Sequence, residues 1–225
     1  MNEPRFTMRI NQYLASKGHS TRRGADELIK KNKVLINGHQ AKLGQRITEK
    51  DVIEVLTTKT QTVYVYFAYH KPTGETTDTP RGIGKDIFPL GRLDKDSCGL
   101  IILTNDGRRT DRLLNPTYNH EKEYVVTVKE KLRSNFKQKM ETGVDIEGYM
   151  TKKCKVKVLN EFTFKITLTE GKKHQIRRMV SALFNQVREL KRIRIMNIEL
   201  GNLNPNSTRV IRGDELRIFL KGLGL

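Results

Sequence analysis

Gly91-Arg92-Leu93-Asp94-Lys95-Asp96-Ser97-Cys98-Gly99-Leu100-Ile101-Ile102-Leu103-Thr104-Asn105-Asp106-Gly107 decides how this chain is read. It opens as a polar loop holding two acids, Asp94 and Asp96. It continues as an apolar run from Leu100 to Leu103, a buried strand, and ends in a turn at Asn105-Asp106-Gly107. Carboxylates on a loop that enters a rigid strand are well placed to act on a ligand. The same Asp-x-Asp-Ser pattern also serves ordinary turns, where Asp and Ser bond nearby amides.

Around this strand, segments of alternating polarity (Tyr124–Val128, Lys153–Val158, Phe162–Leu168) are interleaved with helical ones (Arg109–Leu114, Arg133–Glu141, His174–Phe184). That mixture predicts an α+β domain around a mixed, largely antiparallel sheet over residues 64–225. Residues 57–63 are polar and without period until the apolar run at Val63, and read as a linker.

Residues 8–56 read as a separate small module. Ile10, Tyr13 and Leu14 give one apolar stripe, and Gly18 stands where that helix would stop. Ser20 or Thr21 would cap a second helix burying Ala25, Leu28 and Ile29. Val34-Leu35-Ile36 followed by Asn37-Gly38 is a hairpin signal, because Asn-Gly tolerates two successive positive φ angles. Val52, Ile53 and Val55 would close the small sheet. Its helical part carries Arg9, Lys17, Arg22, Arg23, Lys30, Lys31 and Lys33 against Asp26 and Glu27, a row suited to phosphates.

Composition narrows the classes. The 225 residues carry a formal net charge of +18, with 36% hydrophobic and 30% charged residues, so a packed core is feasible and a polyanionic partner is expected. No apolar run approaches the ~20 residues that span a bilayer, and residues 1–10 lack a signal-peptide core, which predicts a cytoplasmic protein without a membrane partner. Cys98 and Cys154 form no C-x-x-C pair, and the five histidines are scattered, so no metal site is expected. No glycine-rich nucleotide loop is present either, and no cofactor is expected.

Two further segments carry candidate chemistry. From Gly171 to Arg194 the chain has eight Lys+Arg and one acid, Glu189, on a helix-like pattern that faces Ile176, Val180 and Leu183 one way. Tyr124, flanked by polar residues, opens a strand, where its ring is placed to pack in a sheet or to stack on a base.

The run Met8-Arg-Ile-Asn-Gln-Tyr-Leu-Ala-Ser-Lys-Gly, with Ser20-Thr-Arg-Arg-Gly-Ala-Asp and Val34-Leu-Ile-Asn-Gly, resembles the S4 RNA-binding domain. Gly91-Arg-Leu-Asp-x-x-Ser-x-Gly-Leu, Lys71-Pro-x-Gly74, Lys122-x-Tyr124 and Glu170-Gly-x-x-His-Gln-Ile-Arg-Arg-Met resemble bacterial rRNA pseudouridine synthases that carry an N-terminal S4 domain, the A-type family of small-ribosomal-subunit synthases. Asp94-Lys-Asp-Ser, His120-Glu-Lys-Glu-Tyr, Thr151-Lys-Lys-Cys-Lys-Val and Arg192-x-Arg-Ile-Met-Asn are most similar to the large-subunit pseudouridine synthase F branch. The resemblance implies isomerisation of a uridine in structured RNA without cofactor or metal. Asp94 would act at the sugar, as nucleophile at C1′ or as base on a ribose proton; Tyr124 would stack on the uracil and take the C5 proton; Arg177 would pair with Asp94. Arg9, Lys17, Arg22, Arg23, Lys31, Arg92, Arg178, Lys191 and Arg192 would contact RNA. The branch points to 23S rRNA, with a tRNA as a second target, and a monomer is the default. The rival readings are a non-catalytic RNA-binding or ribosome-assembly factor and a base methyltransferase using Cys98. The intact Asp94, Tyr124 and Arg177 stand against the first. The position of Cys98 at the start of a buried strand, where a thiol is usually inert, stands against the second.

Overall fold

The computed structural model describes residues 7–56, 63–80, 82–84, 86–108 and 110–225. Most of the expected linker, 57–62, and Arg109 at the start of an expected helix lie outside them. The chain divides into two compact units, one holding the described residues up to Val65 with Asn105–Thr110, the other Tyr66–Thr104 and Asp111–Leu225.

The first unit runs β1 (Met8–Arg9), α1 (Ile10–Ser16), α2 (Arg22–Lys30), β2 (Val34–Ile36), β3 (His39–Gln40), β4 (Arg46–Ile47) and β5 (Ile53–Val55). The Thr21 hydroxyl caps α2 by accepting from the Gly24 amide at 3.0 Å. Asn37 and Gly38 take φ of 51° and 79°, the two left-handed residues that a tight β2–β3 turn needs. Val52 departs from expectation: it stands outside β5, 61% exposed, because its N–H and C=O are both taken by Asn37 in latching that turn. Ile10, Leu14, Ala25, Ile29, Val34, Ile36, Ala41 and Ile47 form the core, with Tyr13 and Leu28 on its margin.

The second unit contains β6 (Tyr66–Lys71), β7 (Phe88–Leu90), β8 (Cys98–Thr104), α3 (Thr110–Leu114, beginning at the boundary), β9 (Lys122–Val128), α4 (Phe136–Thr142), β10 (Lys155–Asn160), β11 (Thr163–Leu168), α5 (Gln175–Ala182), β12 (Val187–Ile195), β13 (Ile198–Glu199), β14 (Thr208–Val210) and α6 (Gly213–Gly222). Among the described residues nine strands form one sheet in the order β10-β11-β9-β12-β8-β6-β14, with β13 beside β12 and β7 beside β8. Every pairing is antiparallel except β8 with β12. The mixed α+β class with a large sheet is therefore the observed one.

The parallel pair is short. It joins Cys98 to Lys191 and Gly99 to Arg192, and from Ile102 onward that edge of β8 pairs with β7 instead. The sheet thus forks beside the loop that carries Asp94. Gly99 makes the approach possible: its φ is 111°, and a Cβ there would sit 2.2 Å from the Arg192 carbonyl oxygen. On one face of the sheet, α4 and α5 cover a core of Val126, Val128, Phe136, Met140, Phe164, Ile166, Ile176, Met179, Val180 and Leu190.

Candidate active site

The sheet register collects the candidate residues at the fork. Tyr124 on β9 lies opposite Arg192 on β12, and Arg192 opposite Gly99 on β8. About two inter-strand spacings, roughly 10 Å of backbone, therefore separate Tyr124 from the strand that the Asp94 loop enters. Tyr124 is half-buried against the core under α5, and the same helix start touches the loop, so tyrosine and carboxylate share one face of the sheet. The tyrosine hydroxyl makes no hydrogen bond among the described residues. Register shifts in β12 at Val187/Glu189 and Arg192/Arg194 re-aim its side chains around this point.

The loop is held by its own carbonyls. The Arg92 oxygen accepts from Arg192 Nη1 (3.5 Å) and that of Leu93 from the Thr77 hydroxyl (2.8 Å). The Asp94 oxygen accepts from the Ser97 amide (3.0 Å). That of Lys95 accepts from the Gly74 amide (2.8 Å) and from Lys71 Nζ (3.4 Å), and that of Asp96 from Arg177 Nη2 (2.8 Å). Five successive carbonyls are fixed in this way, so the backbone bearing Asp94 has little freedom, whereas the Asp94 side chain stays 37% exposed. Lys71 is fully buried, its ammonium bound to the Pro72 and Lys95 carbonyls, and burial lowers its pKa.

The expected pairing of Arg177 with Asp94 is not formed. The guanidinium reaches across to the Asp96 carbonyl, the Ser97 hydroxyl (3.4 Å) and the Val187 carbonyl (3.5 Å), tying α5 to the loop and to β12. Asp94 instead meets His174 Nδ1 at 3.1 Å. His174 has a φ of 52° at the start of α5, and this left-handed turn places its imidazole at the carboxylate. The start of α5 is anchored by Glu170, which is 2% exposed and accepts from the Gln175 side chain (2.7 Å), the Tyr149 hydroxyl (2.7 Å) and the Lys152 amide (2.9 Å). Sequence reasoning left out His174, Glu170 and Thr77; the first two lie within the Glu170–Met179 motif, whereas nothing in the chain marks Thr77.

The expected RNA contacts divide. Arg9, Lys17, Arg22, Arg23, Lys31 and Arg92 are exposed. Lys191 is half-buried, and Arg178 is engaged by Glu147 (2.8 Å) and the Ile146 carbonyl (2.7 Å). Arg192 is corrected outright: it is 3% exposed and donates from Nε to the Leu100 carbonyl at 2.7 Å, so it braces the fork and does not face solvent. Lys122 lies two residues before Tyr124 on the same face; burial and the neighbouring Arg192 charge push its pKa down to about 8. Cys154 donates to the Met140 carbonyl, and burial pushes its thiol up to about 12, which makes it unreactive. Among the described residues no group of His, Cys, Asp and Glu could hold a metal ion, and no helix is long and apolar enough to cross a membrane.

The fork of the sheet thus brings a clamped aspartate loop, a strand tyrosine and a helix-borne arginine to one point. The RNA pseudouridylate synthase family model matches residues 30–182, and the chain belongs to that family. It is 38% identical to the dual-specificity RNA pseudouridine synthase RluF of Escherichia coli (strain K12), over 95% of this chain and 78% of that protein. It is 34% identical to the ribosomal large subunit pseudouridine synthase B of Bacillus subtilis (strain 168), over 93% of this chain and 94% of that one. A crystal structure of a pseudouridylate synthase superposes with a TM-score of 0.70 at 28% identity, covering 93% of this chain and 98% of its own. The protein is an RNA pseudouridine synthase, an isomerase acting on uridine in RNA.

Proposed function

We propose that Asp94 is the catalytic carboxylate, acting on a uridine of 23S rRNA with a tRNA as a second target. The observation that carries this reading is the contrast at the loop: the backbone is fixed at five carbonyls while the Asp94 carboxylate remains open to a ligand. The rRNA assignment rests on the names of the relatives, one a dual-specificity RNA enzyme and one a large-subunit enzyme.

The reaction breaks the C1′–N1 bond of uridine, turns the base and joins C5 to C1′. Asp94 begins it at the sugar, either by attack on C1′ or by removing a ribose proton; both routes need an ionised carboxylate held still. Tyr124 stacks on the uracil and takes the C5 proton. Arg177 acts as a positioning residue, holding the Asp96 carbonyl so that Asp94 keeps its aim. A uridine in a stem must leave its stack, at a cost of about a few kcal/mol, which phosphate contacts offset. Residues 8–56 serve as an S4-type RNA-binding module, 57–63 as linker and 64–225 as the catalytic domain of a cytoplasmic monomer.

Asp94→Asn tests the assignment. The variant is expected to bind unmodified 23S transcript with parental affinity and to form pseudouridine at least about 10³-fold more slowly, scored by carbodiimide-dependent reverse-transcription stops. Turnover near the parental rate overturns the role of Asp94. Mapping pseudouridine in total RNA with and without the gene tests the target.

A further inference from the structure

Among the described residues four helices end in the same hydrogen-bond pattern, in which the residue after the cap turns left-handed and two amides close back on the last turn. At α1 Gly18 bonds to Ala15 and His19 to Leu14; at α2 Asn32 bonds to Ile29 and Lys33 to Leu28. At α6 Gly224 bonds to Lys221 and Leu225 to Leu220; at α5 Phe184 bonds to Ser181 and Asn185 to Val180. The left-handed residues have φ of 74°, 55°, 72° and 61° respectively. Glycine and asparagine are the usual occupants because a Cβ is strained there, and a bulky side chain at such a position is an outlier. Phe184 is also 78% exposed, so its ring gains almost nothing from burial. A phenylalanine held in water at a strained position serves something other than the fold.

Its surroundings indicate what. The Arg133 guanidinium lies over the Phe184 ring, 5.4 Å from its centroid. Beside the ring is a cavity of about 230 Å³, floored by Phe136 and Leu183 and rimmed by Arg133, Lys131, Lys139 and Glu130. Lys131 is paired with Glu161, but Arg133 and Lys139 have no carboxylate within ion-pair distance among the described residues. The buried Asn185 donates to the Glu130 carbonyl and accepts from the Glu130 amide, which fixes the rim. None of these residues belongs to the site at Asp94, yet α5 connects the two: Arg177 and Phe184 are seven residues apart, about 10 Å along the helix axis.

We propose that Phe184 is a stacking platform for an unpaired base of the RNA substrate, with the phosphate of that nucleotide received by Arg133 and Lys139. An exposed ring with two unpaired cations beside it matches the chemistry of an unstacked nucleotide, whose base has a π-face and whose backbone is anionic. The proposal rests on RNA being the substrate and not on the role of Asp94.

The chain has no tryptophan, so Phe184→Trp installs a single reporter at the platform. Its fluorescence is expected to be quenched and shielded from acrylamide when unmodified 23S transcript, or a single-stranded oligoadenylate, is added. Phe184→Gly is expected to weaken binding of both RNAs about tenfold, while its melting temperature is unchanged or up to about 4 °C higher, since glycine relieves the strain. Quenching by oligoadenylate without quenching by 23S supports the platform and counts against the 23S target. No quenching by either RNA, or unchanged affinity of Phe184→Gly, overturns the proposal. A fall in melting temperature with parental affinity, or a parental dimer that Phe184→Gly dissolves, overturns it too, by assigning the ring to the fold or to a protein interface. Asp94→Asn activity is scored separately, so loss of that assignment leaves this test intact.

Discussion

Two sets of basic residues, one from each unit, are used differently. In the first unit Arg9, Lys17, Arg22, Arg23 and Lys31 are exposed and have no carboxylate within ion-pair distance among the described residues. In the second, Arg177, Arg178, Arg192 and Arg194 are at least half-buried and bound to carbonyls or carboxylates. The first set can exchange water and counterions for phosphates at little structural expense, which makes its contribution salt-dependent. The second set is already engaged, and its forked guanidinium groups hold backbone in place, a task to which a point-charge lysine is poorly suited. A net charge of +18 therefore describes two physical roles.

The largest effect expected of that division is at Arg177. Arg177→Met removes the donor to the Asp96 carbonyl and leaves the Asp94 loop with one clamp fewer. Because a displacement of about 1 Å at a reacting group can lower a rate about 10²-fold, kcat is expected to fall by that order while affinity for unmodified 23S transcript stays within about twofold. Arg177→Lys should recover little of the loss, since an ammonium cannot reach the Asp96 and Val187 carbonyls together. A loss confined to affinity would place Arg177 with the phosphate-facing residues and break the comparison.

A smaller effect is expected in the first unit. Arg22→Gln/Arg23→Gln should weaken binding several-fold at about 0.15 M salt and reduce the slope of log K against log salt by about 1.5, from two lost phosphate contacts. The stability should hardly change, because both side chains stand in solvent. An unaltered salt slope would remove these arginines from the RNA surface.

What could be read beforehand follows from the range of the interactions. The Asn37-Gly38 turn, the Thr21 cap and the Leu100–Leu103 strand each depend on residues a few positions apart, and each was legible. The candidate positions Asp94, Tyr124 and Arg177 were legible as motifs, but their contacts were not. Arg177 binds a carbonyl 81 positions away, and every residue type offers the same carbonyl, so no pattern announces the choice. Arg192 failed for a related reason: an arginine reads alike whether it faces phosphate or is buried against a strand. Phe184 read only as the last residue of a helical segment, and its left-handed backbone and exposure appear only in the fold.

Lys122 lies between the two populations, and its effect falls on stability and not on binding or turnover. It is neither open to solvent nor paired with a carboxylate; its ammonium reaches the His120 carbonyl at 3.5 Å, beside Arg192. Its pKa, about 8 in the fold against 10.5 for a free lysine, fixes the sign of the pH dependence. Between pH 8 and 10.5 the unfolded chain binds more protons at this residue than the folded one, so stability rises with pH across that window. Below pH 8 the buried charge carries its full penalty, and above 10.5 none remains. Lys122→Met, which keeps the volume and removes the charge, should therefore melt at a higher temperature than the parent at pH 7, with the difference shrinking by pH 10. An advantage that is equal at both pH values would mean that packing, and not the charge beside Arg192, sets the effect, and Lys122 would then belong with the engaged cations of the sheet.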